Sequence, residues 1–110
     1  MAVHKHLGVG FMEYIYHRAF ENELKRQEIK FLSEYEIKIY YKGDFIGLRR
    51  VDLFVEGVIP VEIKAATELT DVHLAQAKNY LEAANLDTGL LINFGAKSLQ
   101  FKRLFKKTAL

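Results

Sequence analysis

The stretch Arg50-Val51-Asp52-Leu53-Phe54-Val55-Glu56-Gly57-Val58-Ile59-Pro60-Val61-Glu62-Ile63-Lys64-Ala65 decides the fold. Val51 to Val55 is apolar on both faces except at Asp52, and Val58 to Ala65 is an apolar run interrupted by Glu62 and Lys64. Glu56-Gly57 between them is a turn pair, so the two runs fold onto each other as neighbouring strands. Strands this apolar are buried on both faces, where a charge needs a partner. Glu62 and Lys64 lie two residues apart and project from one face, while Val61 and Ile63 fill the other. The hairpin brings Asp52 beside them. A salt bridge between Lys64 and one acid accounts for two of the three charges. It leaves the second carboxylate uncompensated, and like charges sharing a buried site are costly unless a cation joins them.

Working outward, Tyr35, Ile37, Ile39 and Tyr41 alternate with Glu34, Glu36, Lys38 and Tyr40, the period of a half-buried strand. Lys42-Gly43-Asp44 turns the chain into Phe45–Val55, so three strands form a meander. Upstream, apolar residues recur at helical spacing from Phe11 to about Glu28, after the break marked by Gly8 and Gly10. Downstream, Thr70 is a candidate N-cap, with Asp71 in the first turn, for a helix running to about Asn85. Gly89 to Phe94 reads as a buried central strand and Ser98 to Leu104 as an edge strand. The expected fold is α/β, a mixed central sheet flanked by helices in the order αβββαββ, forming one domain over residues 1–110. Pro60 stands where a β-branched residue suits a strand better, and it removes a ladder donor two residues before Glu62.

The chain has 110 residues, half of them apolar and none of them cysteine. It can bury a core without staples, and disulfides, zinc–thiolate sites and thiol nucleophiles are excluded. No apolar run approaches a membrane span and the N-terminus lacks the apolar core of a signal peptide, so the expectation is a soluble, cytoplasmic protein. Charge is uneven. Residues 1–94 hold eleven bases against fourteen acids, whereas residues 95–110 hold Lys97, Lys102, Arg103, Lys106 and Lys107 and no acid. Such a stripe is either a solvated tail or a surface for phosphates. On the edge strand Lys102 and Arg103 point to opposite faces, so only one of them can flank a cleft.

On the first helix the apolar arc holds Ile15, Ala19, Met12, Tyr16, Phe20 and Leu24. Glu13 falls inside it, as does Glu23, while Tyr14, Arg18, Glu21, Asn22 and Lys25 face solvent. On the second helix Leu74, Ala77, Leu81 and Ala84 face the core, and Gln76 and Tyr80, four apart, share one stripe beside it. As a pair they suit a hydrogen-bonded amide and a core tyrosine. Convergent carboxylates with a lysine alongside suit a hard, oxygen-loving cation such as magnesium or manganese. That is the equipment of hydrolytic phosphodiester chemistry.

Asp52 followed by Val61-Glu62-Ile63-Lys64-Ala65 resembles the D…(D/E)xK signature of the PD-(D/E)XK nucleases, and Gly10-Phe11-Met12-Glu13-Tyr14-Ile15-Tyr16 spells GxxExxY. With Tyr40-Tyr41-Lys42-Gly43, Gln76 to Tyr80-Leu81 and Gly89 to Gly95 in order, nearly the whole chain resembles the GxxExxY protein family of that superfamily. The resemblance implies a restriction-endonuclease-like core with a first helix longer than the residues before Gly8 supply. It also implies a nuclease dependent on Mg2+ or Mn2+. Asp52 and Glu62 would be metal ligands, Lys64 the catalytic lysine, and Glu13 the helix-borne acid that completes or supports the metal site. Gln76 and Tyr80 match the QxxxY element of RecB-type domains, which shapes the site around metal and DNA end, and Lys102 is the edge-strand candidate for the DNA backbone. Expected partners are nucleic acid, taken as DNA, and a second copy in a homodimer. A non-catalytic nucleic-acid- or protein-binding module on the same fold, and a junction-resolving endonuclease, stand as alternatives.

Overall fold

The computed structural model describes residues 2–106. Its elements are α1 (Ala2–Leu7), α2 (Glu13–Arg26), β1 (Phe31–Tyr41), β2 (Asp44–Val55), β3 (Ile59–Lys64), α3 (Asp71–Ala84), β4 (Thr88–Asn93) and β5 (Gln100–Phe105). The strands form one sheet in the order β1-β2-β3-β4-β5, parallel at β3/β4 and antiparallel elsewhere. A parallel neighbour requires a crossover, and α3 supplies it. The expected α/β fold with a mixed sheet between helices is the observed one.

Local chemistry places the elements. Lys42 and Gly43 both have positive φ, 49° and 86°, which is the two-residue turn whose twist matches a hairpin. Thr70 Oγ1 accepts from His73 N–H while His73 Nδ1 accepts from Thr70 N–H, so α3 begins in a reciprocal cap. Asn85 at φ 55° ends it.

Two layers cover the sheet. Beneath α1 and α2, Val3, Tyr16, Phe20 and Leu24 pack on Leu53, Val61, Ile63, Ile92 and Phe94. Beneath α3, Ala77 and Leu81 pack on Leu91 and Leu104, and Tyr80 packs on Ile37 and Val51.

The structure differs from the sequence expectation in four places. Residues 2–7 form a helix of their own, pinned by buried Val3 and by His4 Nε2 at 2.9 Å from the Ala96 carbonyl. Strand β1 begins at Phe31, four residues before the alternation becomes visible. Met12 is outside α2 as its N-cap and is 69% exposed, so it leaves the buried arc. Pro60 sits inside β3, buried and opposite Phe54. Ile63 N–H faces β2 and Lys64 C=O faces β4, so alternation turns the missing Pro60 donor toward β4, where pairing starts only at Val61↔Leu90.

Candidate active site

Strands β2 and β3 pair through Val55↔Ile59, Phe54↔Pro60 and Leu53↔Val61, and then part. Continued regularly, the register would set Val51 against Ile63. Instead Ile63 N–H donates to Asp52 Oδ2 at 2.6 Å, so a side chain stands where the ladder would have put a carbonyl. The cause lies in β2. Leu53 packs under α2 and Val51 under α3, although residues two apart normally share a face, so the strand turns over at Asp52. Across β1 the pairing steps from Ser33↔Leu53 to Tyr35↔Val51 past Glu34, which has φ 51°. The turn aims Asp52 into the opening between β2 and β3, and Glu62 and Lys64 project into the same opening from β3.

The electrostatics report the convergence. Burial, followed by the Asp52 charge, pushes the Glu62 carboxyl from its ordinary 4.5 up to about 7, against the opposing pull of Arg49 and Lys64. Arg49 Nη2 stands 3.4 Å from Glu62 Oε1 and its guanidinium lies 4.8 Å from the Tyr80 ring centroid. Glu13, the first residue of α2, is exposed at the surface rather than inside the buried arc, since no preceding helical turn covers it; partial burial and then Asp52 raise its carboxyl, with Lys64 and His17 opposing. The Lys64 ammonium makes no ion pair or hydrogen bond among the described residues, so the lysine–acid salt bridge that would have explained the cluster structurally does not form.

Glu13 is placed by its neighbours in sequence. Tyr16 is fully buried, stacks on Phe94 with ring centroids 5.0 Å apart, and donates its hydroxyl to the Gly8 carbonyl at 2.6 Å. The same oxygen accepts from Phe11 N–H at 3.3 Å. The tyrosine therefore ties down the loop that delivers Glu13 to the site, which gives the GxxExxY spacing a mechanical reason.

Of the residues singled out in the sequence, Asp52, Glu62, Lys64 and Glu13 share one electrostatic field, and Tyr80 joins it. Burial and then Glu62 raise its phenol above the ordinary value, and its hydroxyl is buried without a hydrogen-bond partner among the described residues. Gln76 lies beside Tyr80 and Arg49 along one groove. Lys102 is not brought to the carboxylates. It shares a cross-strand row with Leu91 and Glu62, but α3 covers Leu91, and Lys102 lines a separate groove with Leu69 and Leu74. The basic stripe is also divided. Arg103 lines a hollow with Ile59 and Phe105, Lys106 Nζ bonds Asn85 Oδ1 at 2.6 Å, and Lys107 lies outside the described residues.

Four contributors had no role visible in the sequence. Arg49 occupies an ordinary strand position, and only the splay of β2 and β3 gives it Glu62. Asn93, fully buried, accepts from Ala66 and Gly95 N–H at Oδ1 and donates from Nδ2 to the Ala66 carbonyl and Gln100 Oε1. Gln100 Oε1 in turn accepts from Leu69 N–H. Together Asn93 and Gln100 clamp the segment that follows Lys64. Gly95 belongs to the clamp, since a Cβ there would stand 2.5 Å from Ala65 and Ala66 backbone atoms.

Two close carboxylates, one of them forced toward protonation by burial and then by the other, fit a hard divalent cation with oxygen ligands. Among the described residues no three His, Cys, Asp or Glu side chains close on one point. The protein donors would therefore be Asp52 and Glu62, completed by carbonyl and water oxygens, with Glu13 adding charge nearby.

A family model described as the PD-(D/E)XK nuclease superfamily matches residues 1–104, and nucleases of that superfamily typically use divalent metal ions. A solved structure described as "Crystal structure of SSO0001" superposes with a TM-score of 0.63 at 21% identity, over 84% of this chain and 48% of that one. The likeness is one of fold, and this chain spans about half the length of that relative. No curated protein matches the sequence. No helix among the described residues is long and apolar enough to cross a membrane.

Proposed function

We propose that this chain, which belongs to the PD-(D/E)XK nuclease superfamily, hydrolyses phosphodiester bonds of DNA with a magnesium or manganese ion held by Asp52 and Glu62. One observation carries the reading: Asp52 is turned out of the β2 ladder onto Ile63 N–H, beside a Glu62 carboxyl pushed to about 7, while Lys64 is left uncommitted. A purely structural cluster would neutralise its acids with its own lysine. This one pairs Glu62 with Arg49 rather than with Lys64, leaves Asp52 without an ion pair among the described residues, and leaves the Lys64 ammonium free to act.

The roles follow from position. The bound cation would offset the two carboxylates, polarise the phosphate and lower the pKa of attacking water. Asp52 is oriented by the Ile63 N–H bond, and Glu62 is steadied by Arg49. Lys64 Nζ orients the attacking water and stabilises charge developing on the phosphate. Glu13 holds negative charge at the rim, and Gln76 and Tyr80 shape the wall. The finer assignment is to the GxxExxY family, with end-processing of DNA in the manner of QxxxY nucleases, in the cytoplasm and as a homodimer. The Arg49–Glu62 pair favours one rival, a non-catalytic binding module in which the arginine replaces metal.

Cleavage of single-stranded, duplex and branched DNA in manganese tests the proposal. Asp52→Ala, Glu62→Ala and Lys64→Ala should each lower the rate by on the order of a hundredfold or more, since each removes a group acting on the transition state. A Lys64→Ala protein that cleaves as fast as the unaltered one refutes its role.

A further inference from the structure

Past Leu53↔Val61, β2 has no β3 neighbour, and the hairpin from Tyr35 to Arg50 runs on as a two-stranded arm. Seven residues of β1 at roughly 3.4 Å each make it on the order of 24 Å long. Its base rests on α3 through Ile37, Val51 and Tyr80. Its tip is bare, with Tyr40, Tyr41, Phe45 and Ile46 each about half exposed or more. A two-stranded ribbon that reaches past its sheet with rings exposed calls for a ligand.

Between the arm and α3 runs an open groove whose polar wall is Arg49, Gln76, Asn79 and Tyr80 and whose apolar wall includes Ile46 and Leu48. No acid lines it. The Tyr80 hydroxyl in its wall is buried without a partner among the described residues. Residues 36–50 carry Lys38, Lys42, Arg49 and Arg50 against Glu36 and Asp44. At its inner end the groove meets Glu62 through Arg49.

We propose that this groove holds one unpaired strand of nucleic acid and leads it to the carboxylates, an assignment that rests on the nuclease reading of the adjoining site. Amide and guanidinium donors suit phosphate oxygens and base edges, the aliphatic wall of Ile39, Ile46 and Leu48 suits base faces, and the exposed rings at the arm tip lie beyond the groove along its hairpin wall. The absence of lining acids gives the charge match. Chemistry selects the form. An unpaired strand offers base faces to the aliphatic wall and base edges to the amides, whereas a duplex keeps its base faces in the stack. The substrate class is therefore single-stranded or frayed DNA, with the arm as its guide.

Binding without turnover tests this. Fluorescence anisotropy in calcium would compare labelled oligothymidylate with a blunt duplex of equal length, for the unaltered protein and for the double variant Ile46→Glu, Asn79→Glu, which puts acids at two exposed groove positions. The single strand should bind more tightly than the duplex, and the variant should lose about tenfold of single-strand affinity, the size of one lost base stack, with duplex affinity unchanged. A duplex preference, an equal loss for both DNAs, or no loss overturns the proposal. So does a variant that binds DNA normally but falls from dimer to monomer by light scattering, since the arm would then be a self-association surface. Circular dichroism confirms that the variant is folded, and the single variant Ile46→Glu, expected to lose several-fold, replaces it if it is not. Failure of the nuclease reading is seen separately, as absence of cleavage by the unaltered protein.

Discussion

Glu62 sits where burial, the Asp52 charge and the Arg49 guanidinium meet, and the first two win by moving its carboxyl from 4.5 to about 7. Between those values the folded protein holds a proton that the unfolded chain has released. Stability of the metal-free protein must therefore fall as pH rises through this window. The expected outcome is a thermal midpoint that drops between pH 5 and pH 8 in the presence of a chelator and is nearly flat for Glu62→Gln. A midpoint that rises over the same range would show that the two carboxylates do not share a dry site. Metal binding should invert the trend, because a cation requires the charged forms.

The elements turn that local chemistry into a fixed opening. Strand β2 turns over at Asp52, β3 carries Glu62 and Lys64 on one face, α2 is anchored by Tyr16 so that its first residue reaches the site, and Asn93 clamps the chain after Lys64. Asn93→Leu strands the N–H groups of Ala66 and Gly95, at about 1–3 kcal/mol for each buried group left unmatched, so denaturant unfolding should show a loss of at least about 2 kcal/mol. A loss below about 0.5 kcal/mol would mean that the clamp is not needed. Much of this was legible in the sequence and some was not, for definite reasons. Charges inside apolar runs exposed Asp52, Glu62 and Lys64; the helical wheel singled out Glu13, but as a buried acid, whereas at the first turn of α2 it is exposed at the rim of the site. The six residues of α1 are too few for a period to show. The amide of Asn93 has no periodic signature, because its partners are backbone groups of another segment. Arg49 gains its role only from the parting of two strands, which no pattern along one strand encodes.

For the whole molecule, α3 divides its face of the sheet into two flanks. On one side lie the carboxylates and the β1–β2 arm, and on the other Lys102 stands in the same cross-strand row as Glu62, two strands of about 4.8 Å spacing away. A single strand that leaves Glu62 and crosses α3 meets Lys102. Lys102→Ala should then reduce the logarithmic salt slope of single-strand binding by about 0.7, one phosphate contact, while an unchanged slope marks Lys102 as solvated. Metal-dependent cleavage and strand guidance both require that Asp52 and Glu62 form one cation site. Calorimetric titration with manganese asks this without needing a substrate. Saturable binding is expected for the unaltered protein and for Lys64→Ala, with loss in Asp52→Ala and Glu62→Ala. Manganese binding that survives Asp52→Ala undiminished would contradict the shared site.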